Sequence, residues 1–362
     1  MPRLESVPEV VDIDAMGRVA VGGRTYPTPS SGSKRLWVTR LTSFGYPDAT
    51  FDGDGHALLP WTAWGPKALS ASTSGLALIG IAPAPQVFTM TSSGTIDMSF
   101  MPTELASFVP IAVARQSDGK LLLLSQQQLV RVDSSGAIDT SFGSSGWVDL
   151  ATVSGASLLA SEMLLDGSER IYVREGGTFV RYSTAGQLDL SFGGGTVVMT
   201  SPFPAATAGP YAAVTPAGDH LYLAIGVSQG SPPSSATVIL HATEAGWDSS
   251  YGGAGYVLQH DRFGDSFIPS GIAVQATGNV LILGTDELDT SVEVVRLDSS
   301  GSVDPSFASN GWWVDGPNGP DEIHTPMHIA VANGDRPHVV VKRQYSQNLY
   351  YEANAVVCRF TP

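Results

Sequence analysis

Acidic and histidine side chains gather in three late segments of the chain, and these residue types are the ones best suited to chemistry. His260 and Asp261 lie in the first segment, Asp286 in the second, and Asp321 and His324 in the third. Neighbouring carboxylates and imidazoles can transfer protons in acid–base catalysis or ligate a metal ion. Their spacing matches no known ligand motif, and the sequence has no nucleophile-elbow, zinc-protease or phosphate-loop pattern. We therefore predict no catalytic residue, no metal and no cofactor, with a glycan-active lyase or hydrolase as the alternative.

Aromatic side chains form a second candidate set. Trp61 and Trp64 are expected in an early loop between two blades, and Tyr345, Tyr350 and Tyr351 in a loop of the last blade. Exposed Trp and Tyr are typical of protein interfaces and of platforms that bind sugars. The alternative is that these rings cover a structural seam where the two ends of the chain meet. Together with the five polar residues above, they are our candidate binding residues.

A short motif, Asp-x-Ser/Thr-Phe/Tyr, recurs six times. An Asp followed two residues later by a hydroxyl side chain is typical of an Asx-turn, and the aromatic ring after it is large enough to fill a core. One copy continues with a second nearby carboxylate, which leaves a calcium site as an alternative, but oxygen cages need several such ligands. We interpret the motif as a structural turn. The six Asp/aromatic pairs are Asp48/Phe51, Asp97/Phe100, Asp139/Phe142, Asp189/Phe192, Asp248/Tyr251 and Asp304/Phe307.

Seven hairpin patterns alternate with that motif. Each has two apolar runs around a turn, followed by a third apolar run that ends at Arg in five of the seven copies. A short fourth run follows the Asp motif. Repeated four-strand units predict an all-β fold, a seven-bladed β-propeller of four-stranded antiparallel blades that forms a single domain over residues 1–362. The seven turns are expected near Gly17, Gly75, Gly119, Gly167, Gly218, Gly278 and Gly334.

The last blade lacks a fourth run in the sequence. A propeller that does not close leaves strand edges exposed. We therefore predict that Pro2–Glu5 supplies the outer strand of the last blade. The alternative is a last blade of three strands.

The two interleaved patterns resemble a known bacterial repeat. One copy begins Arg-Leu-Asp-Ser-Ser-Gly at Arg296 and continues through Asp304 to Phe307, after an Ile-Ala-Val run and a Gly turn. This combination resembles the delta-60 repeat, a β-propeller family, over essentially the whole chain, although Thr89 and Tyr251 depart from its pattern. The resemblance implies a propeller and no catalytic residues. Relatives of this kind resemble parts of secreted, surface or phage-tail-associated proteins.

Composition narrows the range of partners. The 362-residue chain has a formal net charge of −15, which disfavours binding to nucleic acid and to anionic membrane surfaces. Its single cysteine, Cys358, excludes a disulfide within the chain and is expected to be a buried thiol. No stretch reaches transmembrane length and the N-terminus has no apolar signal region. We expect no membrane insertion, and we favour a virion or cell-surface assembly over a cytoplasmic scaffold.

Variation along the chain points to the place of function. In an antiparallel four-stranded blade, the repeated turns share one end, and the connections of variable length share the other. Function on propellers usually resides in such variable loops. We therefore predict a non-enzymatic recognition or structural module that binds a protein or a glycan through this variable loop face, as a component of a phage tail or a bacterial surface assembly.

Overall fold

A computed structural model describes most of the chain. The described residues are 6–25, 35–62, 65–81, 85–100, 105, 107–150, 160–203, 206–229, 234–286, 291–317, 322–332, 335–347 and 350–360. They form β-strands joined by turns, together with short 3-10 turns such as Gly193–Gly195 and Tyr251–Gly253. No helix among these residues has the length and apolar character needed to cross a membrane.

The first three sheets have four strands each, and strands that are adjacent in the chain pair with each other. The first contains β1 (Ser6–Ile13), β2 (Val19–Thr25), β3 (Arg35–Leu41) and β4 (His56–Thr62); the second contains β5 (Gly65–Ser72), β6 (Gly75–Ile81), β7 (Pro85–Thr91) and β8 (Ile96–Phe100); the third contains β9 (Ala112–Arg115), β10 (Leu121–Leu124), β11 (Gln128–Val132) and β12 (Trp147–Asp149).

The remaining four sheets follow the same order along the chain, with two variations. The fifth sheet has a short extra strand, because both β20 and β21 pair with β19, and the seventh has three strands among the described residues. The fourth contains β13 (Glu162–Leu165), β14 (Ile171–Glu175), β15 (Thr178–Tyr182) and β16 (Thr196–Val198); the fifth contains β17 (Ala206–Val214), β18 (His220–Gln229), β19 (Ser234–Thr243), β20 (Gly246–Trp247) and β21 (Val257–Gln259); the sixth contains β22 (Phe267–Val274), β23 (Val280–Asp286), β24 (Val292–Leu297) and β25 (Trp312–Asp315); the seventh contains β26 (Glu322–Ala332), β27 (Arg336–Gln347) and β28 (Tyr350–Arg359).

The protein is a seven-bladed β-propeller, as the repeats predict. Its residues divide into two compact units, one built mainly from the first three sheets and the other mainly from the last four. This division leaves the single domain over 1–362 a prediction. The closing strand predicted at Pro2–Glu5 lies outside the described residues.

Most of the Asp motifs form the same corner between the third and fourth strands of a sheet. In the first corner, Asp48 accepts hydrogen bonds from the N–H of Thr50 (3.0 Å) and from its hydroxyl (2.6 Å). Arg40 donates from Nε to Asp48 (2.8 Å) and from Nη2 to Thr50 (3.0 Å), and its guanidinium carbon lies 4.8 Å from the centre of the buried Phe51 ring. The structural turn predicted from the motif is confirmed here. The same four-residue arrangement recurs as Arg131/Asp139/Ser141/Phe142, Arg181/Asp189/Ser191/Phe192 and Arg296/Asp304/Ser306/Phe307.

The second copy is an exception, and the turn predicted there is wrong. The residues from Ile96 to Phe100 form strand β8, which pairs with β7 and places Met98 opposite Thr89. Thr89 occupies the position of the corner arginine, and its short side chain carries no charge to hold an Asp carboxylate. The segment therefore pairs as a strand. Buried Leu105 and Phe108 join the hydrophobic cluster of the second and third sheets.

The first-to-second strand turn of the fourth sheet also differs in detail from the sequence pattern. The connection runs from Asp166 to Arg170, and its left-handed residue is Glu169 (φ +60°) rather than Gly167. Gly17 and Gly119 hold the matching position in the first and third sheets, with φ of +77° and +88°. The seventh predicted turn residue, Gly334, lies outside the described residues.

Candidate functional site

The two ends of each sheet carry connections of different kinds. At one end, the first and second strands are joined by five residues in five of the seven sheets, and five of the corners contain 13 or 14 residues. At the other end, the second and third strands are joined by between two and nine residues, and consecutive sheets by between two and twelve. The repeated residues therefore build the corners, and the connections that vary most in length lie at the opposite end of each sheet.

The predicted aromatic residues lie on strands more than on loops. Trp61 belongs to β4, Tyr345 to β27, and Tyr350 and Tyr351 to β28. The loop positions expected for these four were wrong because the strands extend further than expected, as the pairing of Tyr345 with Glu322 shows. Their side chains lie outside the described part of the structure, as does the whole of Trp64. A binding role for the five aromatic residues stays a prediction.

The predicted polar residues separate into two groups. His324 belongs to a charged group on the sixth and seventh sheets, whereas Asp261 and Asp286 lie near the buried Glu293. His260 precedes this second group, and its Nδ1 is buried without a hydrogen-bond partner among the described residues. Asp321 lies outside the described residues.

His324 is enclosed by charged neighbours. Its Nδ1 lies 2.9 Å from Asp315, and its Nε2 lies 2.8 Å from Glu322. Arg343 also donates to Asp315, from both Nε and Nη2. His324 lies on β26 and is fully buried, so its contacts are with the protein itself. Cys358 lies near this charged group. Burial of its thiol raises the pKa of Cys358 to about 11, which keeps the thiol protonated near neutral pH.

Asp261 shapes the connection between the fifth and sixth sheets. Its Oδ1 accepts hydrogen bonds from the N–H groups of Phe263 (2.9 Å) and Asp265 (2.7 Å), and the side chain is buried. Asp286, at the end of β23, accepts a hydrogen bond from the hydroxyl of Ser291 (3.2 Å). Both carboxylates thus have partners within the chain.

Glu293 is a buried carboxyl that the sequence analysis missed. It is 2% exposed; one oxygen lies 3.6 Å from Nε of Arg262, and the other has no hydrogen-bond partner among the described residues. Burial raises the pKa of Glu293 to about 7, the charge of Arg262 opposes this rise, and the charges of Asp261 and Asp286 add to it. Its position inside an apolar strand, Val-Glu-Val-Val, is the sequence signal that could have identified it.

An open groove of about 690 Å³ lies beside this carboxyl. One wall comes from the connection after β21, where the guanidinium carbon of Arg262 lies 4.6 Å from the centre of the Phe263 ring. The other wall is the sixth corner with β25, the outermost strand of its sheet. The doubled Trp of β25 was the available sequence signal, but only the fold brings it beside Arg262. The lining residues are Arg262, Phe263, Ala308, Ser309, Asn310, Trp312, Trp313 and Val314.

The fifth corner replaces the arginine by a pair of histidines. His241 Nδ1 lies 3.0 Å from Asp248, and its Nε2 lies 2.8 Å from Nδ1 of His220. The His241 ring stacks on Tyr222, with centroids 4.6 Å apart. Burial lowers the pKa of His241, although Asp248 opposes the shift. This corner is therefore held by hydrogen bonds and stacking rather than by a permanent positive charge.

Metal ligation has no evident site in the part of the chain that is described. No group of three or more His, Cys, Asp or Glu side chains there is arranged to hold an ion.

Comparison with known families matches the repeated segments. Residues 116–142 and 275–307 match the model of a domain of unknown function, the DUF5122 beta-propeller. Each matched segment runs from a hairpin turn to the buried aromatic residue of a corner. The chain is similar to a β-propeller repeat family. No curated protein matches the chain in sequence.

Solved structures of propellers cover almost the whole chain. The β-propeller domain of Cps50 (Swd1) from Myceliophteria thermophila matches with a TM-score of 0.51 and 11% identity, covering 98% of each chain. The structure of YCF48 bound to D1 peptide matches with a TM-score of 0.52 and 12% identity, covering 96% of this chain and 94% of that chain. The β-propeller domain of the Trilobed protease from Pyrococcus furiosus matches with a TM-score of 0.52 and 10% identity, covering 99% of this chain and 96% of that chain. At these identities the similarity shows the fold alone.

Proposed function

We propose that this chain is a non-enzymatic recognition module of the delta-60 type, which binds a protein or glycan partner through the variable connections of its sheets. The observation that supports this proposal is the contrast between the two ends of each sheet. The repeated Arg, Asp, Ser and Phe side chains are used in hydrogen bonds, ion pairs and buried contacts at the corners. The connections at the opposite end differ in length and sequence from one sheet to the next, and such segments commonly carry binding function.

The fold suits this role. Propellers present many connections at one end of their sheets, and one similar structure, YCF48, is bound to a peptide. We place the module in a phage tail or a bacterial surface assembly, in line with the resemblance to the delta-60 repeat. Mass spectrometry of purified virions and of cell-surface fractions tests this location, and recovery of the chain only from the cytosol contradicts it.

A pair of matched variants tests the binding proposal. The triple variant W61A/W64A/Y350A removes aromatic residues assigned to the variable end. The double variant F44A/Y46A removes two exposed aromatic residues from the first corner, at the other end of the sheet. Both are compared with the wild type in quantitative pull-downs of the proteins that the wild type retains. The triple variant is expected to lose binding and the double variant to keep it; the reverse result overturns the proposal.

A further inference from the structure

The groove beside β25 combines aromatic surfaces with planar polar side chains. Phe263 is 74% exposed, and the opposite wall holds the partly exposed Trp313 beside Trp312, which is largely buried (9% exposed). Arg262, Ser309 and Asn310 supply hydrogen-bond donors and acceptors to the same space. The volume of about 690 Å³ lies within the range of roughly 300–1,000 Å³ that is typical of ligand pockets.

Arg262 is held in place by its neighbours. Its guanidinium lies over the ring of Phe263, and its Nε faces the carboxyl of Glu293 at 3.6 Å. A guanidinium fixed in this way can direct its remaining N–H groups toward a ligand at a lower entropic cost. Glu293, which does not line the groove itself, therefore positions the guanidinium of Arg262 through this ion pair.

The charges around the groove select against charged ligands. The positive charge of Arg262 is balanced by the nearby acidic groups Asp261, Asp286 and Glu293, and the chain as a whole carries a net charge of −15. A polyanion is repelled by this surplus, and a cation meets the guanidinium at the groove itself. A neutral ligand has neither cost.

The edge of β25 is partly closed to a peptide strand. The N–H of Trp312 donates to the carbonyl of Ser309 (3.2 Å), and the N–H of Ser309 donates to the carbonyl of Trp312 (3.0 Å). The outward backbone groups of Trp312 are thus already used, so a peptide that adds to the sheet cannot form a continuous ladder. The groove favours a compact ligand over an added strand.

We propose that this groove binds a neutral oligosaccharide of hexose units. A pyranose ring has an apolar C–H face that packs on aromatic rings and a rim of hydroxyl groups that pair with Arg, Asn and Ser side chains. The inference rests on the proposed function, since it names the ligand class at the connection after β21.

Phe263 is the residue that tests this assignment most cleanly. Its exposure makes F263A compatible with folding, and F44A is a matched control because Phe44 is 67% exposed at a corner of the first sheet. The full chain is screened on an array of neutral hexose oligosaccharides, and each neutral hit is titrated beside its uronic-acid analogue. We expect neutral oligosaccharides to bind, with affinity reduced about tenfold in F263A and unchanged in F44A.

Three outcomes overturn the assignment. They are no binding of neutral oligosaccharides by folded wild-type protein, binding of the uronic-acid analogues alone, and equal binding by F263A and the wild type. A peptide library that binds the wild type but not F263A assigns the groove to a peptide instead. Failure here with continued loss of partner binding in W61A/W64A/Y350A leaves the proposed function standing, so the two proposals fail separately.

Discussion

Individual corner residues owe their repetition to electrostatics inside the protein. Burial acts to raise the pKa of Asp48, but the hydrogen bonds from Thr50 and the charge of Arg40 outweigh it, so the pKa is lowered. The carboxylate therefore remains ionised and paired. Arginine suits this position because its planar guanidinium can bind the carboxylate and the hydroxyl at once while lying over the aromatic ring.

Removing a corner arginine is expected to cost considerable stability. The Arg40 side chain is 2% exposed and that of Asp48 is 8% exposed, so R40M leaves a nearly buried carboxylate without its partner. Such a change costs about 3–5 kcal/mol in other proteins. The thermal midpoint of R40M should fall well below that of the wild type, and R40M/D48N should recover part of the loss. A loss below about 1 kcal/mol, the value of an exposed ion pair, contradicts this account of the corner.

The pKa of Glu293 is raised, whereas that of Asp48 is lowered, so Glu293 affects folding stability in the opposite direction as pH changes. Its folded pKa of about 7 lies above the value of an unfolded glutamate, so the folded state binds more protons and stability falls as pH rises through this window. E293Q should raise the thermal midpoint at pH 8 and have little effect at pH 4. D265N removes an exposed carboxylate from the neighbouring connection and is the control for the loss of one negative charge. Equal effects of E293Q at both pH values would exclude a buried charge as the cause.

Strands and turns could largely be predicted from the sequence because apolar runs and glycine turns recur in register. The same reasoning failed where one side chain changed the local outcome. Thr89 in place of Arg allowed the second Asp motif to pair as a strand. Residues such as Tyr345, which were assigned to loops, belong to strands that extend further than expected. The groove could not be predicted, because strands β22 to β24 lie between Arg262 and Trp312 in the sequence, and only the fold brings the two residues together.

The turn at Glu169 gives a test at this scale. A left-handed conformation costs a non-glycine residue about 1–2 kcal/mol, and Glu169 adopts φ +60° where other sheets have glycine. E169G should therefore be more stable than E169A, which removes the same side chain but keeps the strained backbone. Denaturant midpoints measure the difference. If the two variants are equally stable, the left-handed turn carries no strain.

For the whole molecule, the seven sheets form a repeated scaffold with different connections. The corners stabilise neighbouring sheets within each compact unit, as the cluster of Phe51 with Leu76 and Phe88 shows. The central claim is that the buried Arg, Asp and Phe side chains of the repeated corners are structural and that partners bind through the variable connections, such as the one that carries Arg262 and Phe263. This claim does not depend on which partner is found.

Hydrogen–deuterium exchange of the chain with and without a bound partner tests the claim most directly. The partner is one retained by the wild type in the pull-down or the glycan screen. The account predicts slower exchange on binding in variable connections such as residues 63–64, 199–205, 260–266 and 316–321, with the corners at 42–55 and 133–146 unchanged. Protection confined to the corners, with unchanged exchange in the variable connections, would contradict it.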